Sequence, residues 1–377
     1  MPGIYIHIPF CRRKCHYCNF YSTTLLRYRK DFKDALLKEI VVRKAYLPQE
    51  PVQTIYIGGG TPSLLSMDDL AGIFDTLFSS FRIARDAEIT LEANPDDLTE
   101  NYLDSLRHLP VNRLSIGIQS FFSEDLRYLN RIHSSDQALS CIDLARRKGF
   151  DNLSIDLIYG IPTQTAERWS DNLQRVLSNG IPHISAYALT VEPSTALEHL
   201  IQKGKIQVPD EERMVEHFHI LCDLMDTYSY THYEISNFCR DDRYARHNVS
   251  YWTNEPYLGL GPSAHSYNGH TRQWNTPDLV SWMDQLSQDQ PFFELETLHP
   301  VQHYNEYVMT TLRTMWGCNA DTVLEQFGPE YRSHLLRFAG HWIESGLLTL
   351  QGNILRLTRS GMLFADRITS ELFMVSE

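Results

Sequence analysis

The stretch IYIHIPFCRRKCHYCNF, residues 4–20, places three cysteines, Cys11, Cys15 and Cys18, directly after a short β-rich run. The reading of those thiols decides the fold. Their spacing is C-x3-C-x2-C. A structural zinc site commonly takes four protein ligands built from C-x2-C pairs, and no partner pair with finger-like spacing follows. His16 lies between two of the cysteines, too close to complete a regular site. An iron–sulfur cluster also normally takes four ligands. Three thiolates leave one iron with an open position, where a ligand or substrate binds. A zinc site completed from a distant residue is the other reading. The remaining cysteines, Cys141, Cys222, Cys239 and Cys318, are scattered and read as core residues.

Outward from that stretch, strand-like and helix-like segments alternate. The strands are IYIHI (4–8), TIYIG (54–58), EITLEA (88–93), RLSIGI (113–118), NLSIDLIY (152–159) and HISAYAL (183–189). All are short and mostly apolar, as strands buried on both faces are. Helical segments are expected at 29–47, 66–80, 136–150, 167–180 and 210–229. Ser66 and Asp136 read as N-caps, and Gly149 and Gly180 as C-terminal stops. Six β-α units in a row predict a parallel α/β sheet curled into an incomplete (β/α)6 barrel over residues 1–232. Residues 233–298 lack clear periodicity and read as a linker segment. Residues 299–377 read as a mostly helical, winged-helix-like domain with a hairpin turning at Gln351-Gly352-Asn353 and a last helix at 361–373.

In a parallel barrel the chemistry gathers where strands end. The first strand runs into Cys11. The second ends in Gly58-Gly59-Gly60-Thr61-Pro62, the third in Glu92-Ala93-Asn94-Pro95 and the fourth in Gln119-Ser120. The fifth carries Asp156, and the sixth carries Tyr187 and Ala188. Polar or glycine-rich elements at one end of six strands describe a single site. GGGTP lacks the phosphate-loop lysine and the dinucleotide spacing, so alone it is a tight turn. Beside the cysteines it lets a ligand approach the backbone closely. Glu92 and Asp156 suit either ion pairing or an amine and ribose hydroxyls.

The net charge of −13 argues against charge-driven binding to nucleic acid, so neither DNA binding by the winged module nor RNA modification is expected. No apolar run approaches a membrane span and no signal peptide is evident. A cytoplasmic protein without an integral membrane segment is expected.

C-x3-C-x2-C followed by GGGTP resembles the radical S-adenosylmethionine (SAM) superfamily. YIHIPFCRRKCHYCNF, GGGTPS, EANPDDL, SIGIQSF, LNRIH and SIDLIYGIP resemble, more narrowly, the coproporphyrinogen III dehydrogenase family (HemN) and its heme-chaperone relatives (HemW), over essentially the whole chain. The resemblance implies a [4Fe–4S] cluster on Cys11, Cys15 and Cys18, with the amino and carboxylate groups of SAM on the fourth iron. Matched by motif, Tyr5, Tyr17, Gly59, Gly60, Thr61, Glu92, Gln119, Arg131, Asp156 and Ala188 would contact SAM. HNVSYW (247–252) resembles the heme motif H-N-x-x-Y-W of the chaperones and implicates His247, Asn248, Tyr251 and Trp252; a packed aromatic loop is the plainer reading. His265, in GLGPSAHSY, is a second candidate ligand.

Two functions follow. One is a heme chaperone that passes heme to an acceptor protein, with a respiratory membrane enzyme as the acceptor class the resemblance implies. The other is oxygen-independent oxidative decarboxylation of coproporphyrinogen III. Phe20 stands where the dehydrogenase subgroup has a fourth cysteine, and the chain starts almost at the cluster strand. Both features favour the chaperone. No catalytic residue is assigned.

Overall fold

The computed structural model describes residues 2–375. Met1 and positions 376–377, the last two of the expected C-terminal domain, lie outside the described residues. Six strands, β1 (Gly3–Ile8), β2 (Val52–Gly59), β3 (Ile83–Ala93), β4 (Arg113–Gln119), β5 (Leu153–Tyr159) and β6 (His183–Ala188), pair in sequence order and all in parallel. Helices connect them, including Arg29–Val42, Met67–Ser80, Ser135–Arg147 and Ala166–Ser178.

The strands are not uniformly apolar. On β1, Ile4, Ile6 and Ile8 join the hydrophobic core, whereas Tyr5 and His7 fall on the opposite face. The same period-2 division sets Leu114, Ile116 and Ile118 against Arg113, Ser115 and Gly117 on β4. It sets Leu153, Ile155 and Leu157 against Ser154 and Asp156 on β5. The apolar face packs on the helices; the polar face lines the inside of the curled sheet.

Boundary chemistry explains where the helices start and stop. The Ser66 side chain accepts from Asp69 N and starts its helix. The N-cap expected at Asp136 is instead Ser134, because Ser134 and Gln137 form a reciprocal capping box that satisfies two end groups at once. Gly149 and Gly180 follow their helices with φ of 86° and 58°, the left-handed stop that glycine supplies without strain.

Residues 233–298, expected as a linker, instead add strands to the same sheet, with the helices Arg246–Trp252 and Leu279–Ser287 between them. β7 (Thr231–Glu234) and β8 (Asn237–Cys239) extend it beyond β6, with β8 antiparallel to β6. β9 (Tyr257–Leu260) runs parallel to β1 on its free edge. β10 (His265–Tyr267), β11 (Thr271–Asn275) and β12 (Phe293–Thr297) then continue outward. The result is one sheet in the order β12-β11-β10-β9-β1-β2-β3-β4-β5-β6-β8-β7. These added strands have three to five residues, too few to build a visible alternation.

The C-terminal part has its own core around Tyr304, Val308, Leu335, Trp342 and Ile368. Helices Pro300–Leu312, Ala320–Phe327 and Pro329–Glu344 pack with a small sheet of β13 (Cys318–Asn319), β14 (Leu348–Gln351) and β15 (Ile354–Leu357). The hairpin turns at Gly352, φ 60°. The expected last helix is two short ones, Arg359–Met362 and Ala365–Glu371. In the first of them, a Cβ on Gly361 would lie 1.9 Å from Leu347 O, so that turn is pressed against the preceding chain. No helix among the described residues is long and apolar enough to cross a membrane.

Candidate functional site

The cysteine loop leaves β1 and is pinned by the loops of other strands. Cys11 N donates to Thr23 O at 2.9 Å, and Asn130 Nδ2 donates to Lys14 O at 2.9 Å. His16 N and His16 Nδ1 donate to Leu129 O and Tyr128 O at 3.1 and 2.8 Å. His16 therefore holds the loop by its ring rather than joining the thiols.

Two sulfurs are linked through a polar relay. Thr61 Oγ1 donates to Cys11 Sγ at 3.7 Å and accepts from Asn94 Nδ2 at 3.3 Å. Asn94 Oδ1 accepts from Arg131 Nη2 at 2.6 Å, and Arg131 Nη1 donates to Cys15 Sγ at 3.5 Å. A hydroxyl and a guanidinium aimed at sulfur suit thiolates. Burial raises the Cys11 thiol, and the Thr61 hydroxyl opposes the shift. Burial pushes Cys18 up to about 11. The protons would leave when a metal binds. Among the described residues no three His, Cys, Asp or Glu side chains are grouped to hold a single metal ion; the three thiols line the rim of one cavity instead.

That cavity, about 430 Å³, opens at the C-terminal ends of the parallel strands. It is lined by Cys11, Cys15, Cys18, Tyr17, Gly59, Gly60, Thr61, Glu92, Gln119, Arg131, Asp156 and Ala188. The glycines are required by space. A Cβ on Gly60 would lie 2.7 Å from Phe10 O and 2.8 Å from Ile8 O, where β1 and β2 converge on the cysteine loop. Gln119 is held at φ 67°, beside the register shift between β4 and β5, a strained conformation typical of functional positions. Tyr56 Oη donates to Glu92 Oε1 at 2.6 Å and Gly59 N to Glu92 Oε2 at 3.1 Å. Burial raises Glu92 to about 7, against the pull of the Tyr56 hydrogen bond. Burial likewise raises Asp156 to about 6. Two carboxylates on one wall suit a cation and hydroxyl donors.

Tyr5 is not on this wall. It faces a second cavity of about 660 Å³ with His7, Tyr21, His247, Tyr251, Trp252, Tyr257, His265, Tyr267 and Arg272. The two cavities adjoin: Asn19, Phe20, Tyr56, Glu92, Tyr187 and Asn248 line both. Phe20 at this seam is 64% exposed.

The motif HNVSYW forms the helix Arg246–Trp252. Its first turn is fixed by Glu88, which accepts from Arg246 N at 3.2 Å and His247 N at 3.1 Å. His247 is 1% exposed. Its Nδ1 hydrogen-bonds Thr54 Oγ1 and its Nε2 hydrogen-bonds Tyr251 Oη, both at 2.8 Å, and its ring stacks on Tyr56 at 5.2 Å. Burial, with help from Arg113, lowers it to about 3. It is a neutral imidazole with both nitrogens engaged. Tyr251 packs edge-on to Tyr257 at 4.6 Å, and Arg313 lies 5.6 Å over Trp252.

Sequence reasoning missed Tyr56, Arg113, Ser115 and Ser185, all on the wall of the first cavity. Arg113 is 1% exposed. The available signal was a charged or hydroxyl residue at every second position of strands read as mostly apolar and buried on both faces.

A family model described as the radical SAM superfamily matches residues 5–176, and one described as the HemN C-terminal domain matches residues 298–364. The chain is 33% identical to the heme chaperone HemW of Bacillus subtilis, covering 98% of both chains. It is 32% identical to the heme chaperone HemW of Mycobacterium tuberculosis, covering 98% of this chain and 94% of the relative. Its backbone is similar to that of the coproporphyrinogen III oxidase HemN of Escherichia coli, a radical SAM enzyme, with a TM-score of 0.87, 24% identity, and coverage of 99% of this chain and 90% of that one. That likeness establishes the fold, an α/β radical SAM core with a HemN-type C-terminal part; the superfamily implies a [4Fe–4S] cluster and SAM. Full-length identity to the chaperones goes further, and the chain belongs to the HemW family of radical SAM proteins.

Proposed function

We propose that this protein is a cytoplasmic heme chaperone, which binds heme and passes it to an acceptor protein. The observation that carries this reading is the second cavity. At about 660 Å³ and lined by Tyr5, Tyr251, Trp252, Tyr257 and Tyr267, it has the size of a typical ligand pocket and flat aromatic faces suited to a macrocycle. It lies beside the cluster cavity instead of inside it. The full-length relatives named heme chaperones support the same reading.

In the first cavity, Cys11, Cys15 and Cys18 would hold the cluster, and Gly59, Gly60, Thr61 and Glu92 would receive the methionine part of SAM. Asp156 is suited to hydroxyls of its ribose. Bound together, cluster and SAM supply reductive cleavage chemistry. This chain's own residues orient the ligand and hold the sulfurs: Arg131 and Thr61 donate to Cys15 and Cys11. Phe20, in place of a fourth cysteine, weighs against coproporphyrinogen oxidation. The acceptor is a protein of the class that needs heme delivered, with a respiratory membrane enzyme as the example the family resemblance favours.

An anaerobic heme titration of the reconstituted protein, followed in the Soret band, tests the reading. Saturation near one heme per chain supports it. Absence of saturable binding, together with decarboxylation of added coproporphyrinogen III, would replace it with the oxidase.

A further inference from the structure

Three imidazoles line the aromatic cavity: His7, His247 and His265. An axial ligand must offer the metal a free nitrogen lone pair. His7 has none to spare, because Nδ1 hydrogen-bonds Tyr5 Oη at 3.1 Å and Nε2 hydrogen-bonds Tyr21 O at 2.8 Å. His247 is closed in the same way by Thr54 and Tyr251. The rings of Tyr5, Tyr56 and Tyr251 pack around it. Reaching its Nε2 would require expelling Tyr251 and stripping a buried hydrogen bond, a cost of about 1–3 kcal/mol.

His265 differs on both counts. Its side chain is exposed, and among the described residues no hydrogen bond engages either ring nitrogen. Its ring rests near Trp274, at 6.4 Å between centroids. The backbone beneath it is built. His265 pairs with Trp274 across β10 and β11, and Ser266 Oγ accepts from Gly259 N at 2.9 Å. A Cβ on Gly259 would lie 2.0 Å from His265 O, so only glycine admits β10 this close to β9. The turn between them passes through Gly261 and Ser263 at φ 94° and 62°. The GLGPSAHSY segment thus sets one free imidazole at the cavity rim.

We propose that His265, not His247, supplies the axial imidazole to a heme seated in the aromatic cavity, while His247 positions Tyr251 in the cavity wall. This rests on the heme-carrier reading above. The test loads ferric heme onto the full-length reconstituted protein and records the Soret band and the electron paramagnetic resonance of the heme. His265→Ala should lose the imidazole-ligated signature while keeping the wild-type iron and sulfide content, and free imidazole should restore the signature. His247→Ala should weaken binding yet retain the imidazole signature. An unchanged signature in His265→Ala with heme still bound overturns the assignment and leaves the carrier reading standing. So does loss of the signature only in His247→Ala. Absence of saturable heme binding in the wild type removes the carrier reading and this inference with it.

Discussion

The two cavities share a wall but are made of opposite materials. The first is lined by sulfur, charge and glycine: three thiols, Arg113, Arg131, Glu92, Asp156 and the Gly59-Gly60 turn. Strand ends far apart in sequence converge there, and Cys11, Cys15, Thr61, Glu92, Asn94, Arg131 and Asp156 each have a hydrogen-bond partner inside the site. The second is lined mainly by rings, contributed by β1, the loop after it, β2, β6, the short helix Arg246–Trp252 and strands β9 and β10. Its titratable groups are mostly closed off by neighbours. On the proposed reading, the first would bind a charged cofactor with several simultaneous contacts. On the proposed reading, the second would hold a large flat ligand through its faces, with few directional demands, as suits a cargo that is later released.

If the division is real, damage to one cavity should spare the other. The largest effect expected is from Cys15→Ser, which should reduce iron and sulfide after anaerobic reconstitution to background. Heme titration of the same variant should still saturate; a parallel loss of heme binding would break the division. Gly60→Ala comes next. The new Cβ would press on Phe10 O and Ile8 O, and overpacking of this kind costs about 1–3 kcal/mol. Its denaturant midpoint should fall, and SAM binding by calorimetry should weaken with it.

Tyr251→Phe acts on the other side. It leaves the buried His247 Nε2 without its partner, at a cost of about 1–3 kcal/mol. Thermal melts should show the destabilisation while cluster content stays at the wild-type level. If cluster content falls as well, the cavities are coupled more tightly than their walls indicate.

Much of the first cavity was legible because its signals are contiguous: the cysteine spacing, GGGTP and EANP each sit on a few successive residues. Arg113, Ser115 and Ser185 were not, since their face is defined only by alternation along strands that look apolar when taken whole. β9 to β12 escaped notice because each is five residues or shorter and is stabilised by pairing with distant chain. The helix Ser135–Arg147 shows the same limit locally. Asp136 looks like a cap, but the Ser134–Gln137 reciprocal pair wins. The engagement of His247 on both nitrogens is a tertiary fact that no motif carries.

A pH slope is expected as well. Glu92 and Asp156 are raised from 4.5 to about 7 and from 3.8 to about 6. The folded state therefore holds more protons than the unfolded state between those limits. The stability they contribute is fully present below the unfolded values and is lost as pH rises through about 6 to 7. A cation in the site favours the ionised carboxylates, so SAM affinity should increase over the same window. Glu92→Gln should flatten both slopes, as read from denaturation and SAM titration at several pH values. Slopes unchanged in that variant would sharpen attention on Asp156 alone.

The most direct test of the two-cavity account is an anaerobic crystal structure of the reconstituted protein with heme, with iron located by anomalous scattering. The account predicts two separate iron centres. One is a compact cluster at Cys11, Cys15 and Cys18, and the other is a single iron in the ring-lined cavity bounded by Tyr5, Tyr251 and His265. A heme iron inside the cluster cavity, or bound outside both, would contradict it.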